Sequence, residues 1–170
     1  FSMCDKNVAD AEIKKTISTA KQMGVNIKTF VYPETKIGHI DLLRDNGIKV
    51  YRGLNLGNLN DNSICSIVTN RFAPPTVASP KRKNGMLEVP GSMHFGDLRF
   101  PSLLVPRYEM AIKNAINQNK ALNIILHCWS MLLYKNNERQ LEKLLKIIHK
   151  YESKEKVRVS TLGSLCKSLT

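Results

Sequence analysis

The chain of 170 residues predicts an α/β fold in which parallel strands are covered by helices. Two observations carry that prediction. The apolar spacing switches repeatedly between a helical period near 3.6 and a strand period near 2. The segment Leu122 to His127 is almost wholly apolar and does not alternate, as expected of a strand buried on both faces of a parallel sheet. A chain of this length can bury one core, so a single domain over residues 1–170 is expected.

The elements follow in order. Ile13, Ile17 and Ala20 fall on one face of a helix over Val8 to Met23, and Gly24 is a natural stop. Ile27 to Val31 alternates as a strand. Ile37 to Asn46 is helical, with Ile40 and Leu43 on one side and Gly47 as terminator, and Ile48 to Tyr51 is a short strand that enters a turn at Gly53. From about 53 to 106 the pattern loosens into an irregular insertion rich in proline. It has room for a helix near Asp61 to Thr69 and a hairpin pairing Val77 with Met86 to Val89. Regularity returns with a helix over Arg107 to Asn119 following Pro106, and then the Leu122-to-His127 strand. A helix over Asn137 to Tyr151 follows, with Leu141, Leu144, Leu145 and Ile148 facing inward. Val157 to Val159 reads as a last strand, and Thr161 caps a short final helix.

Charge and cysteine usage narrow the partners. Formal net charge is +12, which attracts anionic surfaces, acidic glycans or nucleic acid. The lysines are spread along the chain, however. Only Lys81-Arg82-Lys83-Asn84-Gly85 is dense, reading as the tip of a hairpin or a loop, and no aromatic stacking platform accompanies it. A solvated basic surface is therefore favoured over nucleic-acid binding. No apolar run reaches the roughly 18 residues of a membrane-spanning helix. Cys4, Cys65, Cys128 and Cys166 have neither zinc-ribbon nor disulfide-framework spacing and read as free thiols, which points to a reducing, cytoplasmic setting. The chain opens on Phe1 without a basic-then-apolar leader, so its natural N-terminus is expected further upstream.

Four segments then combine into one pattern. Phe30-Val-Tyr-Pro-Glu-Thr35 is an aromatic-x-aromatic-Pro strand end. Gly85-Met-Leu-Glu-Val-Pro-Gly-Ser-Met93 is a Glu-apolar-Pro-x-Ser-Met strand. Leu126-His-Cys-Trp-Ser-Met131 and Leu162-Gly-Ser-Leu165 follow in order. Together they resemble NodB-type polysaccharide deacetylases over nearly the whole chain. The resemblance implies an incomplete (β/α) barrel of the glycoside hydrolase/deacetylase type, here lacking its first strands. It also implies a zinc-like divalent metal held by one Asp and two His, a second Asp as base, and a His at a late strand end as acid. The substrate implied is an N-acetylated cell-surface or exopolysaccharide glycan, deacetylated by metal-assisted attack of water.

This chain departs from that pattern at the chemistry. The metal-binding His-Ser/Thr-x-x-His motif would start upstream of Phe1, and its second His aligns with Met3, whose soft thioether replaces imidazole poorly at such a metal. The family's acid His aligns with Met131, which has no proton to give. Glu34 stands where the pattern carries Arg, and Ser164 replaces an acidic residue. Loss of general acid catalysis alone costs on the order of 10²–10⁴ in rate. The chain is thus expected to bind no metal and to be inactive by itself, the intact parent being a deacetylase. The alternative is a non-catalytic glycan-binding or assembly protein that has lost the metal site.

Tyr32 and Pro33 are expected to shape the substrate rim. Read as strand, 127, 129 and 131 share a face, with His127 about 13 Å below Met131. His127 is then a satisfied core histidine or a substitute acid. Trp129 either packs in the core or walls an acetyl pocket, and His94 is a candidate to face a glycan. His39 reads as a helix-end residue and His149 as an exposed one. Gly53-Leu-Asn-Leu-Gly57 lacks phosphate-loop context, Ser130 lacks a nucleophile elbow, and Asp41 and Glu138 lack carboxylate partners.

Overall fold

The computed structural model describes residues 1–55, 75–95, 104–133 and 136–168. These gather into two compact units. The first comes from Phe1–Leu54, Pro80–Pro90 and Ser160–Thr170, and the second from Asn55–Ser79 and Gly91–Val159, in each case as far as these spans are described.

In the first unit, α1 (Lys6–Gln22) starts at Asp5, whose side chain accepts from Asn7 N at 2.8 Å and satisfies one of the orphan amides of the first turn. It ends where Gly24 takes φ +74°, a conformation cheap only for glycine. β1 (Thr29–Val31) runs parallel to β2 (Val50–Asn55), with Thr29 opposite Val50 and Val31 opposite Arg52. Between them α2 (Ile40–Asp45) is shorter than the periodicity over Ile37 to Asn46 suggests. Gly38 explains this: Ser2 packs so close that a Cβ at 38 would stand 2.8 Å from Ser2 Cβ, and the Gly38 carbonyl accepts a side-chain hydrogen bond. The helix therefore starts later, with His39 (φ +51°) as its N-cap, and ends at Asp45, two residues before Gly47 (φ +83°).

The hairpin differs from the expected one. β4 (Met86–Gly91) pairs antiparallel with β3 (Lys81–Lys83), not with Val77, and the basic run is a strand with Asn84-Gly85 as its tip. Both tip residues have positive φ, the requirement of a tight two-residue hairpin. Val77 is buried elsewhere, and Ala78 forms an isolated antiparallel bridge with Ala121. The sheet order is β1-β2-β4-β3. Alternation along β2 and β4 sends Tyr51 and Met86 to one face, packed with Tyr32 against Ala9, Ile13, Leu42 and Leu43. Val50, Leu87 and Val89 go to the other face, against Leu162, Leu165 and Cys166 of α6 (Leu162–Ser168). Thr161 Oγ1 accepts from Ser164 N at 3.1 Å and caps α6.

The second unit joins β5 (Met93–His94) in parallel to β6 (Ile124–Ile125), Met93 opposite Ile124 and His94 opposite Ile125. Around them lie α3 (Leu104–Gln118), α4 (Cys128–Leu133) and α5 (Asn137–Glu152). Pro106 sits within the first turn of α3, where its missing N–H is no loss. Met93, Phe95, Tyr108, Ala111 and Leu144 form the core, flanked by Met131, Leu141 and Ile148. Leu145 is 55% exposed and does not face inward, because it lies beside the 141/144/148 stripe rather than on it. Val157 to Val159 forms no strand: Val159 is exposed, and no described strand pairs with it. The expected helix near Asp61 to Thr69 lies outside the described residues. Among the described residues, no helix is long and apolar enough to cross a membrane.

Candidate functional site

The sequence-predicted site residues fall into both units. In the first, β1 delivers Tyr32 into the core rather than onto a rim. Its ring packs among Phe1, Phe30 and Tyr51, and its hydroxyl donates to the Gly38 carbonyl at 2.8 Å. Burial pushes the phenol up to about 12. Pro33 is exposed and opens a 3-10 turn (Pro33–Thr35) in which Glu34 adopts φ +53°. Glu34 pairs with Lys36 at 2.7 Å, which holds its carboxyl below the usual range. Met3 is 84% exposed. His39, partly buried at the start of α2, meets the Cys4 carbonyl through Nε2 at 3.0 Å.

The second unit brings three predicted residues together. His94 ends β5 opposite Ile125; two residues beyond Ile125 stands His127, and Trp129 follows in the first turn of α4. The His94 and His127 rings lie 5.9 Å apart with an 18° interplanar angle, and those of His127 and Trp129 lie 5.5 Å apart at 23°. The result is a run of three near-parallel rings. Trp129 is 55% exposed, His127 is exposed and His94 is partly buried.

Neither His127 nor Trp129 is a core residue, and the reason is local. Cys128–Leu133 is helical, not extended, so the chain rises about 1.5 Å per residue there and His127 no longer lies far beneath Met131. His127 stands at the carboxyl end of β6, while Met131 turns its thioether into the second core. The helix formers of Trp129-Ser-Met-Leu-Leu133 were the available signal, overlooked because the apolar run seemed to continue the strand.

A metal finds little here. Among the described residues, no three His, Cys, Asp or Glu side chains group closely enough to hold an ion. The described cysteines Cys4, Cys128 and Cys166 are free.

Sequence reasoning missed the polar groups along β2. Tyr51 is buried, and its hydroxyl has no hydrogen-bond partner among the described residues. Burial first, then the charge of the Glu88 carboxylate and its approach to the hydroxyl, short of hydrogen-bond geometry, push this phenol upward. Glu88 lies folded over Gly53: a Cβ at 53 would meet Glu88 Cγ at 2.7 Å, so only glycine leaves room. Arg52, between them in sequence, buries its Nε without a hydrogen bond. An arginine between two inward-facing neighbours within a strand was the readable clue.

No protein-family model, no curated protein and no solved structure matches the chain.

Proposed function

We propose that this chain is a deacetylase-like protein of the incomplete (β/α) barrel class that recognises an N-acetylated glycan without hydrolysing it. The observation that carries the reading is the His94–His127–Trp129 ring run, with Trp129 open to solvent. Flat aromatic faces offer an apolar wall to the C–H face of a sugar ring and to an acetyl methyl. With no metal ligand set among the described residues, no hydrolytic step is derived from them.

The test uses an internal reporter, because Trp129 is the only tryptophan in the sequence. N-acetylglucosamine oligomers should change its fluorescence saturably, and His127→Ala should weaken the response while leaving the circular dichroism intact. A flat titration up to the solubility of the oligomer would sink the proposal.

One observation favours a second reading. Exposed His127 stands just past the carboxyl end of β6, and a strand end is where the family's acid acts although the aligned residue here is Met131, so His127 would be the substitute that holds the proton. Acetate release by the chain with added zinc, abolished by His127→Gln, would replace binding by catalysis; no release is expected.

A further inference from the structure

From the placement of Arg52 we infer a second ligand site, independent of the ring run: a guanidinium on β2 beside the carboxyl end of β1 that takes an oxyanion, either a sugar carboxylate or a phosphate group. The register places Arg52 opposite Val31, two residues beyond Val50 and therefore on Val50's face of the sheet. That face is lined by Val50, Leu87, Val89, Leu162, Leu165 and Cys166, and among the described residues no carboxylate pairs with Arg52. The nearest acid along the neighbouring strand is Glu88. It alternates to the opposite face between Leu87 and Val89 and lies over Gly53 there. The sheet itself thus separates the acid from the base.

The cost of this arrangement is legible. Arg52 is partly buried, its Nε is sealed from water, and among the described residues it makes neither a hydrogen bond nor an ion pair. Burial is the sole influence on its protonation, and it acts against the charge. Guanidinium stays charged regardless, so the free protein carries an uncompensated desolvation penalty. A ligand with two oxygens on one atom matches the guanidinium fork and removes that penalty. Two further facts point to an anion. The carboxyl ends of parallel strands are the usual ligand edge of open α/β sheets, and the chain's net charge of +12 attracts anions towards it.

Thermal unfolding of the full chain tests this, with sodium glucuronate or inorganic phosphate each compared against sodium chloride at equal ionic strength. At least one oxyanion should raise the wild-type melting temperature above the chloride value, and which one does so identifies the ligand chemistry. Arg52→Lys keeps the charge but loses the fork, and should weaken the apparent affinity by about tenfold or more. Arg52→Met should lose the response altogether yet melt no lower than wild type in chloride, because it deletes a penalty rather than a contact. An oxyanion effect absent from wild type, or equal in wild type and Arg52→Met, overturns the inference. So does an Arg52→Met protein that melts several degrees lower in chloride alone, since Arg52 would then be a packing residue. The Trp129 response to neutral oligomers should be the same in all three proteins, so the two sites succeed or fail separately.

Discussion

Two buried tyrosines in one core should respond oppositely to loss of their hydroxyls. Tyr32 and Tyr51 meet edge to face with ring centroids 5.9 Å apart, in the same apolar cluster. The Tyr32 hydroxyl donates to the Gly38 carbonyl at 2.8 Å, whereas that of Tyr51 has no hydrogen-bond partner among the described residues. Tyr32→Phe removes that bond and leaves a carbonyl without its donor, a loss of about 1–2 kcal/mol. Tyr51→Phe removes a hydroxyl that lies near the Glu88 carboxylate but short of hydrogen-bond geometry, at nearly unchanged volume, so the effect should run from neutral to a gain of about 1 kcal/mol. The two variants should thus differ by roughly 2 kcal/mol, or about 4–8 °C in melting temperature for a chain of this size. Equilibrium urea unfolding at neutral pH measures both. The alkaline limb offers a second check. An ordinary phenol loses its proton near 10, and Tyr32 is pushed up to about 12. The folded state thus holds that proton more tightly than the unfolded one. Its contribution is fully present below about 10 and is lost as pH rises through about 12, a loss that Tyr32→Phe should reduce. A Tyr51→Phe protein as destabilised as Tyr32→Phe would refute the reasoning, since the hydroxyl would then be satisfied.

Three further outcomes follow from local geometry. Gly53→Ala should destabilise by about 1–2 kcal/mol, because the new methyl displaces Glu88, and most of that cost should vanish when Glu88→Ala is added in a double-mutant cycle. Thr161→Ala should cost about 1 kcal/mol through loss of the bond from Ser164 N, read by urea unfolding. Glu109 accepts from the Tyr151 hydroxyl at 3.0 Å and lies near Lys113 and Lys150; these partners, Tyr151 first, hold its carboxyl below the usual range. The stability this adds is present above the ordinary glutamate range and is lost as pH falls through the depressed value. Tyr151→Phe should therefore flatten the acid limb of unfolding.

Much of the local structure was legible because short-range chemistry decides it. Gly24, Gly47 and Thr161 punctuate the chain where their side chains or dihedral freedom act, and α1 and α5 bury the faces their spacing suggests apart from Leu145. Misreadings arose where a distant neighbour decided the outcome. Gly38 reads as a tolerable helix residue until Ser2 packs against it and Tyr32 claims its carbonyl. Val157 to Val159 has strand-forming residues but no described partner strand. Lys81–Lys83 looks like a loop tip, yet the Asn84-Gly85 turn makes it an edge strand, where lysine also discourages pairing with other chains. At the candidate site, His94, His127 and Trp129 were each picked out singly. Their stacking depended on β5 pairing with β6 and on α4 starting at Cys128, neither of which any spacing rule states.

Side-chain parity also governs the charges at the sheet. Arg52 and Glu88 lie on neighbouring strands, and opposite charges on neighbouring strands ordinarily suggest a cross-strand pair. Pairing requires a shared face, though. Tyr51 and Gly53 face the α1–α2 side with Glu88, so Arg52 between them must face away. Moving either charge by one residue would place both on one side and neutralise them; as built, each is held apart by a strand's thickness. Glu88 is accommodated by a glycine, and Arg52 by nothing described in its own unit. An arrangement that leaves one charge provided for and the other not is the pattern of a site completed from outside, which is why the Arg52→Met stability measurement separates function from packing.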